Sequence, residues 1–93
     1  MSAMISVTHN EAEQRYEATV DGLLSVCEYE LADNCMVFTH TLVPPELRGR
    51  GIAEELVRAG LAGARAKGLK VVPACSYVAV FIRRHPEFQD LVA

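Results

Sequence analysis

No apolar run in the 93-residue sequence approaches the roughly 18 residues that a membrane-spanning helix requires, so no transmembrane segment is expected. The first residues, MSAMISVTHNE, have no basic region followed by a long apolar stretch, so no signal peptide is expected. Cysteine is sparse and odd in number. Cys27, Cys35 and Cys75 lie far apart, with no Cys-x-x-Cys pair and no tight His/Cys cluster. This argues against a disulfide scaffold and a structural zinc site, and for a reducing, cytoplasmic setting. A P-loop is excluded because no Gly-Lys-Ser/Thr triplet occurs. A dinucleotide fingerprint fails as well. Gly49-x-Gly51 is followed by Glu54 where a third glycine belongs, and the later stretch KVVPAC has no acid. Repeats, linkers and low-complexity segments are missing too, and one domain over residues 1–93 is expected.

What is present is an ordinary globular composition, 51% hydrophobic and 23% charged. The net charge of −3 conceals an asymmetry. Residues 1–46 carry eight acids and one base, a net of −7, whereas residues 47–93 carry four acids and eight bases, a net of +4. One reading is differential solvation of strands and helices. The other is that the basic half faces an anionic ligand and the acidic half a cationic one. The overall acidity argues against general nucleic-acid binding.

Periodicity changes once along the chain. MISVTHN offers a short strand around Ile5 and Val7. Tyr16, Ala18 and Val20 alternate, and Asp21-Gly22 is a hairpin signal. LLSVCEYEL alternates again, ADN breaks the run, and CMVFTHTLV is dense in β-branched and aromatic residues. Pro44 and Pro45 end this fourth strand, since neither can donate to a ladder. From Gly51 the period becomes helical, with Ile52, Leu56, Val57, Ala59, Gly60, Gly63 and Ala64 forming an apolar stripe and Glu54–Arg58 an i,i+4 pair. Gly60 and Gly63 each weaken the helix by about 1 kcal/mol against alanine, which points to close approach to a sheet. Lys67-Gly68 caps the helix, LKVVPAC is a buried strand, Ser76 caps a short helix YVAVFIRR, and Pro86 starts a last helical turn. The order β-β-β-β-α-β-α predicts an α+β fold. It comprises a four-stranded antiparallel meander plus a right-handed βαβ unit whose last two strands are parallel.

The most informative stretch is HTLVPPELRGRGIAEEL, His40 to Leu56. A helix starting near Gly51 presents unpartnered N–H groups and partial positive charge, and glycines let a ligand approach the backbone. Arg48 and Arg50 add fixed charge, a combination suited to a pyrophosphate. The pattern Arg-x-x-Gly-x-Ala, at Arg48, Gly51 and Ala53, follows a fourth strand and precedes an amphipathic helix. In that context the chain resembles the GCN5-related N-acetyltransferase superfamily. With VVPACSYVAVFIRRHPEF it is similar to the small, single-domain branch that carries a cysteine after the fifth strand. The likeness covers nearly the whole chain and is most specific from His40 to Phe88.

The resemblance implies an acetyl-coenzyme A-dependent N-acetyltransferase fold, with fourth and fifth strands that splay apart. Residues Arg48, Gly49, Arg50, Gly51, Ile52 and Ala53 would hold the pyrophosphate. Leu42 and Val43 would lie along the pantetheine arm, one of their amides serving the oxyanion. Arg83 and Arg84 would reach the 3′-phosphate, or else form a solvated helix end. The acceptor is a small-molecule or protein amine, which the acidic half would favour if cationic. No nucleic-acid or membrane partner is expected.

Three residues are candidates for the chemistry. His40, just upstream of the thioester position, suits a general base at neutral pH, its alternative being an ordinary sheet histidine. Cys75, before a helix start, suits an activated thiol, as nucleophile or as a polar wall, or else a small core residue. Tyr77 is a weak candidate acid: many superfamily members carry a tyrosine further along that helix, where this chain has Phe81. Cys27 and Cys35 read as core, and His9 and His85 as surface residues. The competing reading is a non-catalytic module that binds coenzyme A or acyl-coenzyme A.

Overall fold

Two tight hairpins set the register of the sheet in the computed structural model, which describes residues 5–93. Asp21 and Gly22 take φ of 52° and 76°, and Asp33 and Asn34 take 51° and 63°, the left-handed pairs that two-residue connections need. They join β2 (Arg15–Val20) to β3 (Leu23–Ala32), and β3 to β4 (Cys35–Leu42). A short β1 (Thr8–Asn10) lies outside β2, with His9 opposite Tyr16. The strand expected over MISVTHN is thus confined to its last residues. Ile5 and Val7 pack against the core from outside the ladder, and Met4 lies outside the described residues.

After β4 the chain makes a 3-10 turn at Pro45–Leu47 and enters α1 (Ile52–Ala66). This crossover helix delivers β5 (Lys70–Pro73) parallel to β4, giving a five-stranded sheet ordered β1-β2-β3-β4-β5. Helix α2 (Ser76–Arg84) and a 3-10 turn at Pro86–Leu91 follow. The expected α+β architecture is therefore present. The helix cap is not as expected: Cys75 is the N-cap of α2 and Ser76 its first helical residue, without a side-chain cap. The reason is local. The Cys75 N–H is held by the Phe38 carbonyl at 2.8 Å, which keeps Cys75 extended while the chain turns into the helix after it.

The helices bury one face of the sheet. Ile52, Leu56, Val57, Gly60, Leu61 and Ala64 of α1 pack on Tyr16, Ala18, Cys27, Tyr29, Met36 and Phe38. Burying each large apolar side chain contributes about 1.5–3 kcal/mol. The two helix glycines do provide close approach. A Cβ on Gly60 would stand 2.8 Å from Phe38 Cε1, and one on Gly63 would land on the Tyr16 hydroxyl.

Three side-chain expectations are corrected by packing. Arg58 turns from Glu54 to lie over Phe81 and Phe88, 5.4 and 6.0 Å from their ring centres, with Glu87 at 3.8 Å. Two aromatic rings and the Glu87 carboxylate together offer the guanidinium more than one carboxylate a helical turn away. His9 and His85 are half-buried rather than surface residues. His9 stacks on Tyr16 and shares a 2.6 Å hydrogen bond with the Tyr29 hydroxyl, while His85 stacks on Phe81. Cys27 is fully buried, but Cys35 only partly.

Candidate functional site

The site begins at a register shift. Glu28 pairs with His40 but Tyr29 pairs with Phe38, so Thr39 is an extra residue in β4, a β-bulge. Met36 and Phe38 are fully buried toward the helices, and strict alternation would put His40 and Leu42 beside them. The bulge inverts the alternation. Thr41, opposite buried Cys27, turns inward, and His40, opposite Glu28, is exposed on the uncovered face.

The parallel ladder also ends there. β4 and β5 pair from Cys35 with Lys70 to Phe38 with Pro73, and proline has no N–H to continue. The Ala74 N–H bonds back to Val72, and the last tie is from the Cys75 N–H to Phe38. Beyond it, among the described residues, Thr39–Leu42 pairs as a strand with β3 alone, so the two parallel strands diverge into a gap.

A cleft of about 420 Å³ opens from this gap. Thr41, Leu42 and Val43 form one wall; Leu47, Arg48, Gly49, Gly51, Ile52, Ala53 and Glu54 form the mouth; Tyr77 lines the cleft from α2. The mouth is anchored by Leu47, only 1% exposed, and Arg48 folds back to donate from Nε to the Val43 carbonyl at 3.2 Å. Gly49 and Gly51 take φ of 83° and 80°. A Cβ at either would meet nothing within 4 Å, so the backbone conformation, not lack of room, selects glycine. Gly51 is the N-cap of α1 and no side chain caps the helix. Its first-turn N–H groups therefore carry the exposed positive end of the helix dipole. Glu54 and Glu55 in the same turn oppose that charge in part.

Cys75 sits behind Thr41, with 3.6 Å between Sγ and the threonine Oγ1. The same hydroxyl lies 3.7 Å from the Cys27 sulfur. Burial pushes the Cys75 thiol up. The Val78 N–H, the Thr41 hydroxyl and the N–H groups of Tyr77 and Thr41 outweigh it and hold the thiol below its ordinary value. Cys27, wholly enclosed, is pushed up to about 11. Tyr77 is also raised, by burial and by the Glu54 carboxylate.

Of the residues singled out in the sequence, Leu42, Val43, Arg48, Gly49, Gly51, Ile52, Ala53 and Tyr77 meet in this cleft. Arg50 does not; it pairs with Asp21 at 2.8 Å. Arg84 lines an adjoining hollow of about 130 Å³ with Glu54, Tyr77 and Phe81, whereas Arg83 is exposed. His40 is off the cleft, and Cys75 reaches it through Thr41. Thr41, Leu47 and Glu54 also line the cleft, although the sequence does not single them out for the site. A bulge leaves no mark on composition or periodicity, so nothing in the sequence marks Thr41 as inward. The charge asymmetry is partly internal: Arg50 and Lys67 of the basic half pair with Asp21 and Glu11 of the acidic half.

A mixed sheet with diverging parallel strands, and a glycine-bearing turn feeding a helix N-terminus, defines an acyltransferase-type fold. Residues 15–91 match the model of the family described as GCN5-related N-acetyl-transferase, and the chain belongs to that family. It is similar to Protein NATD1 of Xenopus tropicalis, 30% identical over 88 residues that span 91% of this chain and 81% of the relative. Protein NATD1 of Homo sapiens is 31% identical over 85 residues, 88% of this chain and 75% of that one. The NMR solution structure of a GCN5-like protein from Staphylococcus aureus superposes with a TM-score of 0.75 at 25% identity. That superposition covers 95% of this chain and 87% of the other. Among the described residues no helix is long and apolar enough to cross a membrane, and no group of three or more metal-ligating side chains occurs.

Proposed function

We propose that the protein is an acetyl-coenzyme A-dependent N-acetyltransferase that acetylates an amine, working as a single domain in the cytoplasm. The observation that carries this reading is the continuity of one cleft. It runs from the diverging edge of β4 to the uncapped start of α1, past two glycines held at positive φ. In this reading the backbone from Arg48 through Ala53 receives the pyrophosphate and Arg84, in the adjoining hollow, the 3′-phosphate. The pantetheine arm lies along Thr41–Val43. The Thr41 N–H points at Cys75 across the gap, so the alternation of the strand turns the Val43 N–H the same way and the Leu42 N–H toward β3. That favours Val43 over Leu42 as the donor to the oxyanion.

The chemistry requires a neutral amine to attack the thioester carbonyl carbon, forming the C–N bond as the C–S bond breaks. His40 stands on the uncovered face of β4, so it accepts the amine proton only from an acceptor that reaches the gap from that face. Glu28, directly opposite, favours a cationic acceptor there. A second reading, binding of acyl-coenzyme A without transfer, is favoured by His40 standing off the cleft. It is favoured also by Phe81, buried where many relatives of the superfamily carry tyrosine.

Incubation with radiolabelled acetyl-coenzyme A and an amine panel separates the two. Transfer that falls on His40→Ala or Cys75→Ala supports the enzyme. Tight binding with no transfer to any amine leaves only the binding module. No binding by the wild-type protein contradicts both.

A further inference from the structure

We propose that the Thr41 hydroxyl relays a proton from the Cys75 thiol to the coenzyme A thiolate as it departs; this rests on the reading of the cleft as the acetyl-coenzyme A site. The position on the helix after β5 that often supplies such a proton holds Phe81, which is 4% exposed and stacked on His85. Two hydroxyls line the cleft, those of Thr41 and Tyr77, and burial with Glu54 nearby raises the Tyr77 phenol and makes it a poorer acid. Thr41 lines one wall and touches Cys75 behind it, 3.6 Å from hydroxyl to sulfur.

A hydroxyl is suited to the task because it accepts and donates at once. At rest the Thr41 hydroxyl donates to the Cys27 sulfur at 3.7 Å, leaving its lone pairs to receive the Cys75 S–H. Cys27 is fully buried, its thiol pushed up to about 11, so it keeps its proton and serves only as a resting place for this hydrogen bond. When the C–S bond breaks, the hydroxyl turns from Cys27 to the departing sulfur, gives it a proton and takes one from Cys75. The electron pair of the broken bond ends on the coenzyme A sulfur as an S–H bond. The negative charge ends on Cys75, among the N–H groups of Thr41, Tyr77 and Val78 that stabilise it. Donor and recipient are both thiols, and the N–H groups around Cys75 make it release its proton more readily than an ordinary thiol. Cys75 is half-buried and regains its proton from solvent.

The test follows acetohydroxamate formation from acetyl-coenzyme A and hydroxylamine, a nucleophile that needs no docking surface. Binding of acetyl-coenzyme A is measured separately by calorimetry. The expected result is catalysis by the wild type whose rate falls as pH rises through the Cys75 ionisation, because the donor is then lost. Thr41→Val should lower kcat about 100-fold with KM and the dissociation constant unchanged, and should lose the alkaline limb. Thr41→Ser should stay within a few-fold of wild type with the limb intact. Wild-type kinetics in Thr41→Val, or no catalysis by a protein that binds acetyl-coenzyme A, overturns the relay alone. Failure to bind acetyl-coenzyme A overturns the reading of the cleft, and the relay with it. Circular dichroism of Thr41→Val separates loss of the hydroxyl from loss of the fold.

Discussion

Alanine in place of Gly63 should destabilise the protein, although it removes a helix-weakening glycine. The substitution gains about 1 kcal/mol of helix propensity. Against this, the new methyl would occupy the position of the Tyr16 hydroxyl and stand 3.2 Å from Tyr16 Cζ. The ring has little room to retreat. It is 4% exposed, stacked on His9 with centroids 4.1 Å apart, and tilted against Tyr29 at 5.9 Å. Overpacking of a closed site costs about 1–3 kcal/mol, and the lack of an escape route puts this case near the top. The net is a loss of about 2 kcal/mol, or roughly 10 °C in Tm for a domain of this size. The Tyr16 hydroxyl itself is buried with no hydrogen-bond partner among the described residues. Tyr16→Phe should therefore be close to neutral, and it removes the atom responsible for the clash. In the Tyr16→Phe background, Gly63→Ala should cost little or stabilise, giving a coupling energy of at least about 1 kcal/mol. Urea unfolding of the four proteins measures it. An equal cost in both backgrounds would refute the claim that contact with Tyr16 selects glycine at this position.

Partial burial of His9 makes stability depend on pH. Burial, with Lys67 nearby, holds His9 below its ordinary value, and Glu11 offsets this only in part. Stability from this group is therefore complete above about pH 6.5 and is lost as pH falls toward the folded-state pKa, because the unfolded chain binds the proton more tightly. Thermal melts between pH 7.5 and 5 should show this loss, and His9→Phe should remove that part of the slope. Thiol alkylation should discriminate the cysteines: peptide-resolved mass spectrometry near pH 8 should find Cys75 modified well before Cys27. Cys75 lies below its ordinary value and is partly exposed, whereas Cys27 is sealed and raised to about 11. Equal rates would contradict the environments described for both.

Most of the architecture was legible because it rests on local rules. Alternation marked β2 and β3, a dense β-branched and aromatic run marked β4, the Asp21-Gly22 dipeptide marked a hairpin, and the helical period of α1 together with Gly60 and Gly63 foretold its close packing. The glycine-arginine turn was legible because left-handed residues before a helix are a composition signal as well as a geometry. What escaped was non-local. The bulge at Thr39 depends on how β4 is held between β3 and β5, and it exchanges His40 for Thr41 on the inward face. The Cys75 cap depends on a carbonyl from Phe38, 37 positions earlier in the chain. Arg58 chose two aromatic rings that arrive from the end of the chain over a carboxylate one turn away. Each of these shifts a side chain by one position or one partner, a scale that periodicity does not resolve.

In the function we propose, acetyl-coenzyme A occupies the cleft between β4 and the start of α1. Backbone amide shifts of the labelled protein, recorded during titration with acetyl-coenzyme A, test it most directly. The largest changes should fall on Thr41–Val43 and on Arg48–Glu54. Gly51→Val, which strains the left-handed cap, should abolish these changes while the rest of the spectrum keeps its folded dispersion. Saturable changes centred elsewhere, or undiminished binding by Gly51→Val, would contradict that occupancy.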